Sequence, residues 1–201
     1  MPVERPTRDI ASCRAAHERM VRVLDGVTDE VARRPSLLPD WTVAHVVTHL
    51  ARNAESMHRR TEAARRGELV EQYVGGEAGR AGEIEAGAAR RARQIVDDAL
   101  DWANRLDDTF ANLPDDCWAR PVRSVSGDEH PVAQLLFRRM REVEVHLVDL
   151  GIGFTPADWS QDMVDRALPG LLEGLVERAD GRALTAWLLG RGPAPDLGPW
   201  G

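Results

Sequence analysis

LPDWTVAHVVTHLARNA, residues 38–54, sets Val43, Val46, Val47, Leu50 and Ala54 at three- and four-residue steps, and Met57 continues the row. That is the spacing of one helix face. Thr42 stands immediately before the row, where a hydroxyl can accept from the free backbone N–H groups of a first turn, so it is the predicted N-cap. The helix is expected to fade near Arg66, and its polar margin carries two histidines, His45 and His49.

Upstream, Ile10, Cys13, His17, Met20 and Leu24 recur with the same period and predict a helix over residues 7–24, with His17 at the core edge. Downstream, residues 67–82 contain five glycines and are expected to form a long loop, a kind of segment that is often functional. A third helix is predicted over residues 83–113 from Ile95, Ala99, Trp102, Leu106, Phe110 and Leu113, with Pro114 as its stop. Residues 115–130 are expected to be a connection. Pro131 then opens a fourth helix whose apolar row runs from Val132 to Leu150 and which Gly151 ends. Four amphipathic helices without an alternating strand predict an all-α core, an antiparallel four-helix bundle over residues 1–153. A shorter, mainly helical region follows over residues 154–201, with Pro169 expected to kink its first helix and a last helix near residues 182–189.

The chain has 201 residues, 43% hydrophobic and 29% charged, which suits a packed globular core. Its formal net charge of −7 argues against nucleic acid as a partner. All 26 basic residues are arginine, so lysine Schiff-base chemistry and a P-loop lysine are excluded. Cys13 and Cys117 form no CxxC pattern and are expected to be buried thiols. No stretch approaches a membrane span and the N-terminus carries no apolar signal core, so a cytoplasmic location with no membrane partner is expected.

The second predicted helix contains H-x-x-x-H, His45 and His49, and the fourth contains E-x-x-x-H, Glu142 and His146. Four-residue spacing stacks such side chains on one face. At about 100° per residue, His146 and Glu142 fall on one flank of their apolar row, whereas Glu144 falls on the other. His49 lies at the margin of its row and His45 near the outside. Bundles build metal sites from side chains on facing helices, so His49, Glu142 and His146 are candidate ligands of a divalent ion with one coordination position open. Zinc or ferrous iron would suit two imidazoles and a carboxylate. Solvated helix-flank residues are the alternative reading. Asp149, one turn after His146, is placed to accept from an imidazole N–H, or is simply a carboxylate at the end of the helix.

LPDWTVAHVVTHLARNA and MREVEVHLVDLG, residues 140–151, resemble the two signature stretches of the mycothiol-dependent maleylpyruvate isomerase family, within the wider DinB-like metal-dependent bundle superfamily. YVGGEAGRAGEIEAGA, residues 73–88, resembles the loop between them, and the end of the chain resembles the close of that family's C-terminal domain, here shortened. The resemblance implies a DinB-like bundle in which His49, Glu142 and His146 bind a divalent metal, usually zinc. It also implies mycothiol as the cofactor. In such an enzyme the metal-activated thiolate adds to the cis double bond of maleylpyruvate, the new single bond rotates, and loss of the thiol leaves fumarylpyruvate. Arg80 matches the arginine of the family's loop and is expected to hold a substrate carboxylate, with Tyr73 beside it and Asn53 orienting the cofactor; packing or solvation is the alternative for each. A mycothiol S-transferase or a non-catalytic metal- or thiol-binding module are the rival functions. The expected partners are a small electrophile and a low-molecular-weight thiol, in a monomer or homodimer.

Overall fold

A computed structural model of the protein describes residues 4–197. Contacts divide the chain into two units, residues 1–159 and 160–201.

The first unit contains α1 (Thr7–Leu24), a short α2 (Asp29–Ala32), α3 (Val43–Arg65), α4 (Gly76–Ala88) and α5 (Ala92–Ala111). β1 (Pro121–Arg123), β2 (Glu129–Pro131) and α6 (Gln134–Asp149) follow. One dense apolar cluster gathers Cys13 from α1, Ala54, Met57 and Ala64 from α3, Leu106 and Phe110 from α5, and Leu135 and Leu136 from α6. These are the early residues of α1 and α6 and the later residues of α3 and α5. The four long helices therefore form a bundle in which α1 and α6 run one way and α3 and α5 the other.

Two neighbours in sequence, α3 and α5, can run the same way only if the chain returns between them. That return is α4, which begins inside the expected glycine-rich loop and ends well before the expected third helix does. Glycine lowers helix propensity, which hid α4 from the periodicity. Two of its glycines are needed for close approach: a Cβ on Gly79 would sit 1.9 Å from the carbonyl oxygen of Val74, and one on Gly87 would sit 2.3 Å from the Thr48 methyl. A backbone oxygen cannot step aside as a side chain can. Gly79→Ala is therefore expected to shift the first turn of α4 and to cost about 1–3 kcal/mol, despite alanine's better helix propensity; urea denaturation measures it, and unchanged stability would contradict this packing.

Thr42 caps α3 as expected, and His45 completes a reciprocal capping box with it. The connection before α6 is a small antiparallel hairpin that pairs Val122 with His130. Pro131 ends β2 rather than opening the helix, and α6 starts three residues later, at Gln134. Gly151 adopts φ +65° and stops α6, as expected.

The second unit contains α7 (Gln161–Glu173), α8 (Leu175–Arg178) and α9 (Gly181–Leu188). Ser160 and Asp180 cap α7 and α9 through their side chains. Pro169 lies inside α7, and the helical path breaks after Glu173. No helix of the described residues is long and apolar enough to cross a membrane.

Candidate metal centre

His49 projects from the early part of α3, and Glu142 and His146 from the late part of α6, toward the end of the bundle away from the apolar cluster. His49 Nε2 lies 3.2 Å from Glu142 Oε2 and 3.1 Å from His146 Nε2, and His146 Nε2 lies 3.6 Å from the same Glu142 oxygen. A tetrahedral ion with bonds of about 2.0–2.2 Å holds its ligand atoms roughly 3.3–3.6 Å apart. The separations fit that geometry. His49 is buried rather than marginal, while Glu142 and His146 are partly exposed.

The proton positions argue the same way. His146 Nδ1 is 2.8 Å from Asp149 and donates to it, so Nε2 faces Glu142 and His49. Burial opposes charge on His146, but hydrogen bonds to Asp149 and Glu142 outweigh it and push its pKa up to about 9. Glu142 is likewise held well below the carboxylate range, against burial, by His146 and His49. Burial pushes His49 down to about 4, so that ring is neutral. Its Nδ1 accepts from Arg80 Nη2 at 3.2 Å, and a guanidinium only donates, so the ring hydrogen is on Nε2. Without an ion, two N–H groups thus crowd together over one carboxylate. A single cation replaces both hydrogens, so the donor set fits a divalent metal.

Arg80, near the start of α4, places its guanidinium 6.0 Å from the Trp41 ring centre and 5.7 Å from that of Tyr73. Tyr73 is buried and supports Arg80 from the loop before α4. Asn53, one turn beyond His49, donates to Glu142 Oε2 at 3.3 Å. His45 stays outside the group: its Nδ1 accepts from the Thr42 backbone and its Nε2 lies 3.4 Å from Glu85. Glu144 is buried and paired with Arg19.

Arg139 was not anticipated as part of the site. Fully buried, it donates through Nη1 to the Leu50 carbonyl at 3.0 Å and to Asn53 Oδ1 at 2.9 Å. That contact fixes the Asn53 amide with its NH₂ toward Glu142. Through Nε it donates to His17 Nε2 at 2.9 Å, so His17 carries its hydrogen on Nδ1 and gives it to Asp107 at 2.8 Å. A polarised chain, Asp107–His17–Arg139–Asn53–Glu142, therefore crosses the bundle and ends on a candidate ligand. The signal for it was an arginine at a core position of the α6 row, four residues after Leu135 and four before Val143. Cys13, His17 and Asp107 also converge, but there the Arg139 guanidinium already supplies the positive charge, donating to His17 Nε2 while His17 donates to Asp107. The Cys13 thiol is pushed far up by burial.

Residues 13–151 match the model of the mycothiol maleylpyruvate isomerase N-terminal domain. Crystal structures of a mycothiol-dependent maleylpyruvate isomerase and of a histidine-to-alanine mutant of it are similar, at 27% and 26% identity and a TM-score of 0.75. Each alignment covers 79% of this chain and 66% of that one, so the chain spans about two thirds of that protein's length. No curated protein sequence matches. With a bundle of this topology and a match over most of the chain, the protein belongs to the family of the mycothiol maleylpyruvate isomerase N-terminal domain.

Proposed function

We propose that this chain is a metal- and thiol-dependent enzyme of the maleylpyruvate isomerase type, with mycothiol as its thiol and His49, Glu142 and His146 as ligands of one divalent ion, zinc foremost. The observation that carries the reading is the convergence of two imidazole nitrogens and a carboxylate oxygen from two helices within 3.6 Å of one another. When bound, such an ion lowers the pKa of a thiol that reaches it and so supplies a thiolate at neutral pH.

The chain's own residues do the rest. Asp149 fixes the His146 ring so that Nε2 is presented to the site. Asn53 holds the Glu142 oxygen that both imidazoles approach. Arg80 offers a planar fork to a substrate carboxylate, and Trp41 and Tyr73 keep it beside the centre. Both cysteines are buried with their thiols pushed up by burial, so the nucleophile comes from outside the chain.

Metal analysis after zinc repletion, followed by turnover of maleylpyruvate with and without mycothiol, tests this. One ion per chain is expected, with thiol-dependent formation of fumarylpyruvate that survives Cys13→Ser and Cys117→Ser. Absence of a stoichiometric ion ends the metal reading. Retention of the thiol on the product would make the enzyme an S-transferase.

Arg80→Ala is expected to lower kcat/KM for a dicarboxylate by roughly 10–100-fold, as loss of a charge-assisted bidentate contact does. The melting temperature should stay nearly unchanged because the side chain is only half-buried. An equal loss with an uncharged electrophile would remove Arg80 from carboxylate binding.

A further inference from the structure

A cavity of about 50 Å³ adjoins the candidate centre, lined by Asn53, Met57, Arg60, Gln72, Arg138, Arg141 and Glu142. Three guanidiniums face one carboxylate there, and that carboxylate is already engaged by His49, His146 and Asn53.

Arg60 is the unusual member. It comes from the later half of α3, is 3% exposed, and makes its hydrogen bonds to backbone carbonyls, Nε to Ser56 at 3.4 Å and Nη1 to Arg123 at 3.1 Å. Among the described residues no carboxylate pairs with it or with Arg138. Buried charges are ordinarily paired. Burial brings the Arg60 guanidinium down to about 10, and the neighbouring Arg138 pushes the same way. Gln72 adds a donor: its amide oxygen accepts from the Val125 backbone at 2.9 Å, which leaves its NH₂ group uncommitted. The lining is thus rich in donors and cations and poor in acceptors.

We infer that the Arg60–Arg138–Arg141 cavity is a second anion subsite, which takes a carboxylate of the same substrate whose other carboxylate meets Arg80. The two cationic groups touch different members of the candidate trio: Arg80 contacts His49, whereas the cavity is lined by Glu142. A dicarboxylate held at both places has its carbon chain beside the centre, and a monocarboxylate fills only one of them. The cavity volume suits a carboxylate group and not a whole substrate. The inference extends the proposed function to its substrate class, and its test separates the two.

Calorimetric titration of maleate into the purified full chain, zinc-loaded and zinc-depleted, is the experiment. Maleate is expected to bind both forms, and dimethyl maleate, which lacks the charges, to bind at least tenfold more weakly. Arg60→Gln and Arg138→Gln should each weaken maleate roughly tenfold in both forms. Arg138 is exposed, so its variant reports even if the Arg60 variant fails to fold. Maleate binding unchanged in Arg138→Gln overturns the subsite. So does binding that vanishes with zinc yet ignores the arginines, which would put the carboxylate on the ion. Inorganic phosphate bound as tightly as maleate would make the cavity a general anion site and likewise overturn the assignment. If the protein holds no zinc but the arginine dependence persists, the metal reading fails and the subsite stands.

Discussion

His49→Ala is expected to lower zinc affinity by orders of magnitude and to abolish turnover, whereas His45→Ala loses at most the roughly 10–100-fold of an outer contact. Both side chains leave the same face of α3 within about one turn, so changes in helix propensity are alike. Their surroundings differ: His49 Nε2 meets two other donors, while His45 is spent on the Thr42 cap and on Glu85. Zinc titration of both variants at one pH decides, and loss of metal in His45→Ala with retention in His49→Ala would refute the assignment. Affinity should also rise with pH. At pH 7 the metal-free His146 is charged, since its pKa is pushed up to about 9, and an ion must expel that proton. From pH 7 to 8, affinity should gain nearly tenfold, and the gain should flatten as pH passes about 9, with about one proton released per ion at pH 7. Metal-free stability runs the other way: the His146 contribution is complete below its ordinary value of 6.5 and is lost as pH rises through about 9.

Arg139→Met should destabilise the protein by about 3–5 kcal/mol, because removing one member of a buried charged network strands the others. The Leu50 carbonyl, Asn53 Oδ1 and His17 Nε2 would all lose their donor at once. Urea denaturation reads this, and a loss below about 1 kcal/mol would show that the chain of hydrogen bonds contributes little. A second effect separates support of the fold from support of the centre. Asn53→Leu leaves Arg139 in place but removes the donor to Glu142, and should weaken zinc binding roughly 10–100-fold, as outer contacts do.

The long helices were legible because each buries one stripe, and a stripe is periodic: the bounds of α1 and α3 and the stop of α6 follow from Ile10–Leu24, Thr42 and Gly151. What escaped was decided by contacts between distant residues. Gly79 and Gly87 suit a helix only because Val74 and Thr48 crowd them, and nothing local announces that. The β1–β2 hairpin buries only Val122 and His130, too little alternation to register as strands. Wheel position brought His49, Glu142 and His146 to facing margins, since each lies on a regular helix. It could not reveal that Arg139 enters the core, because a charge in an apolar row looks the same whether it is snorkelling or networked.

One bond joins the two halves of the proposed chemistry. Arg80 donates to His49 Nδ1, which forces the ring hydrogen onto Nε2, the nitrogen that would carry the ion. A neutral His49 that ligates through Nε2 has its hydrogen on Nδ1 instead, where Arg80 has nothing to donate to. Under the proposed function, metal loading would therefore free the guanidinium, and an anion that draws Arg80 away would free the imidazole. The two proposed ligands would then be coupled with positive sign, and linkage makes the factor reciprocal: carboxylate would tighten metal as much as metal tightens carboxylate. In the proposed enzyme each ligand would thus prepare the site for the other, so that metal would strengthen the anion fork without being required for it.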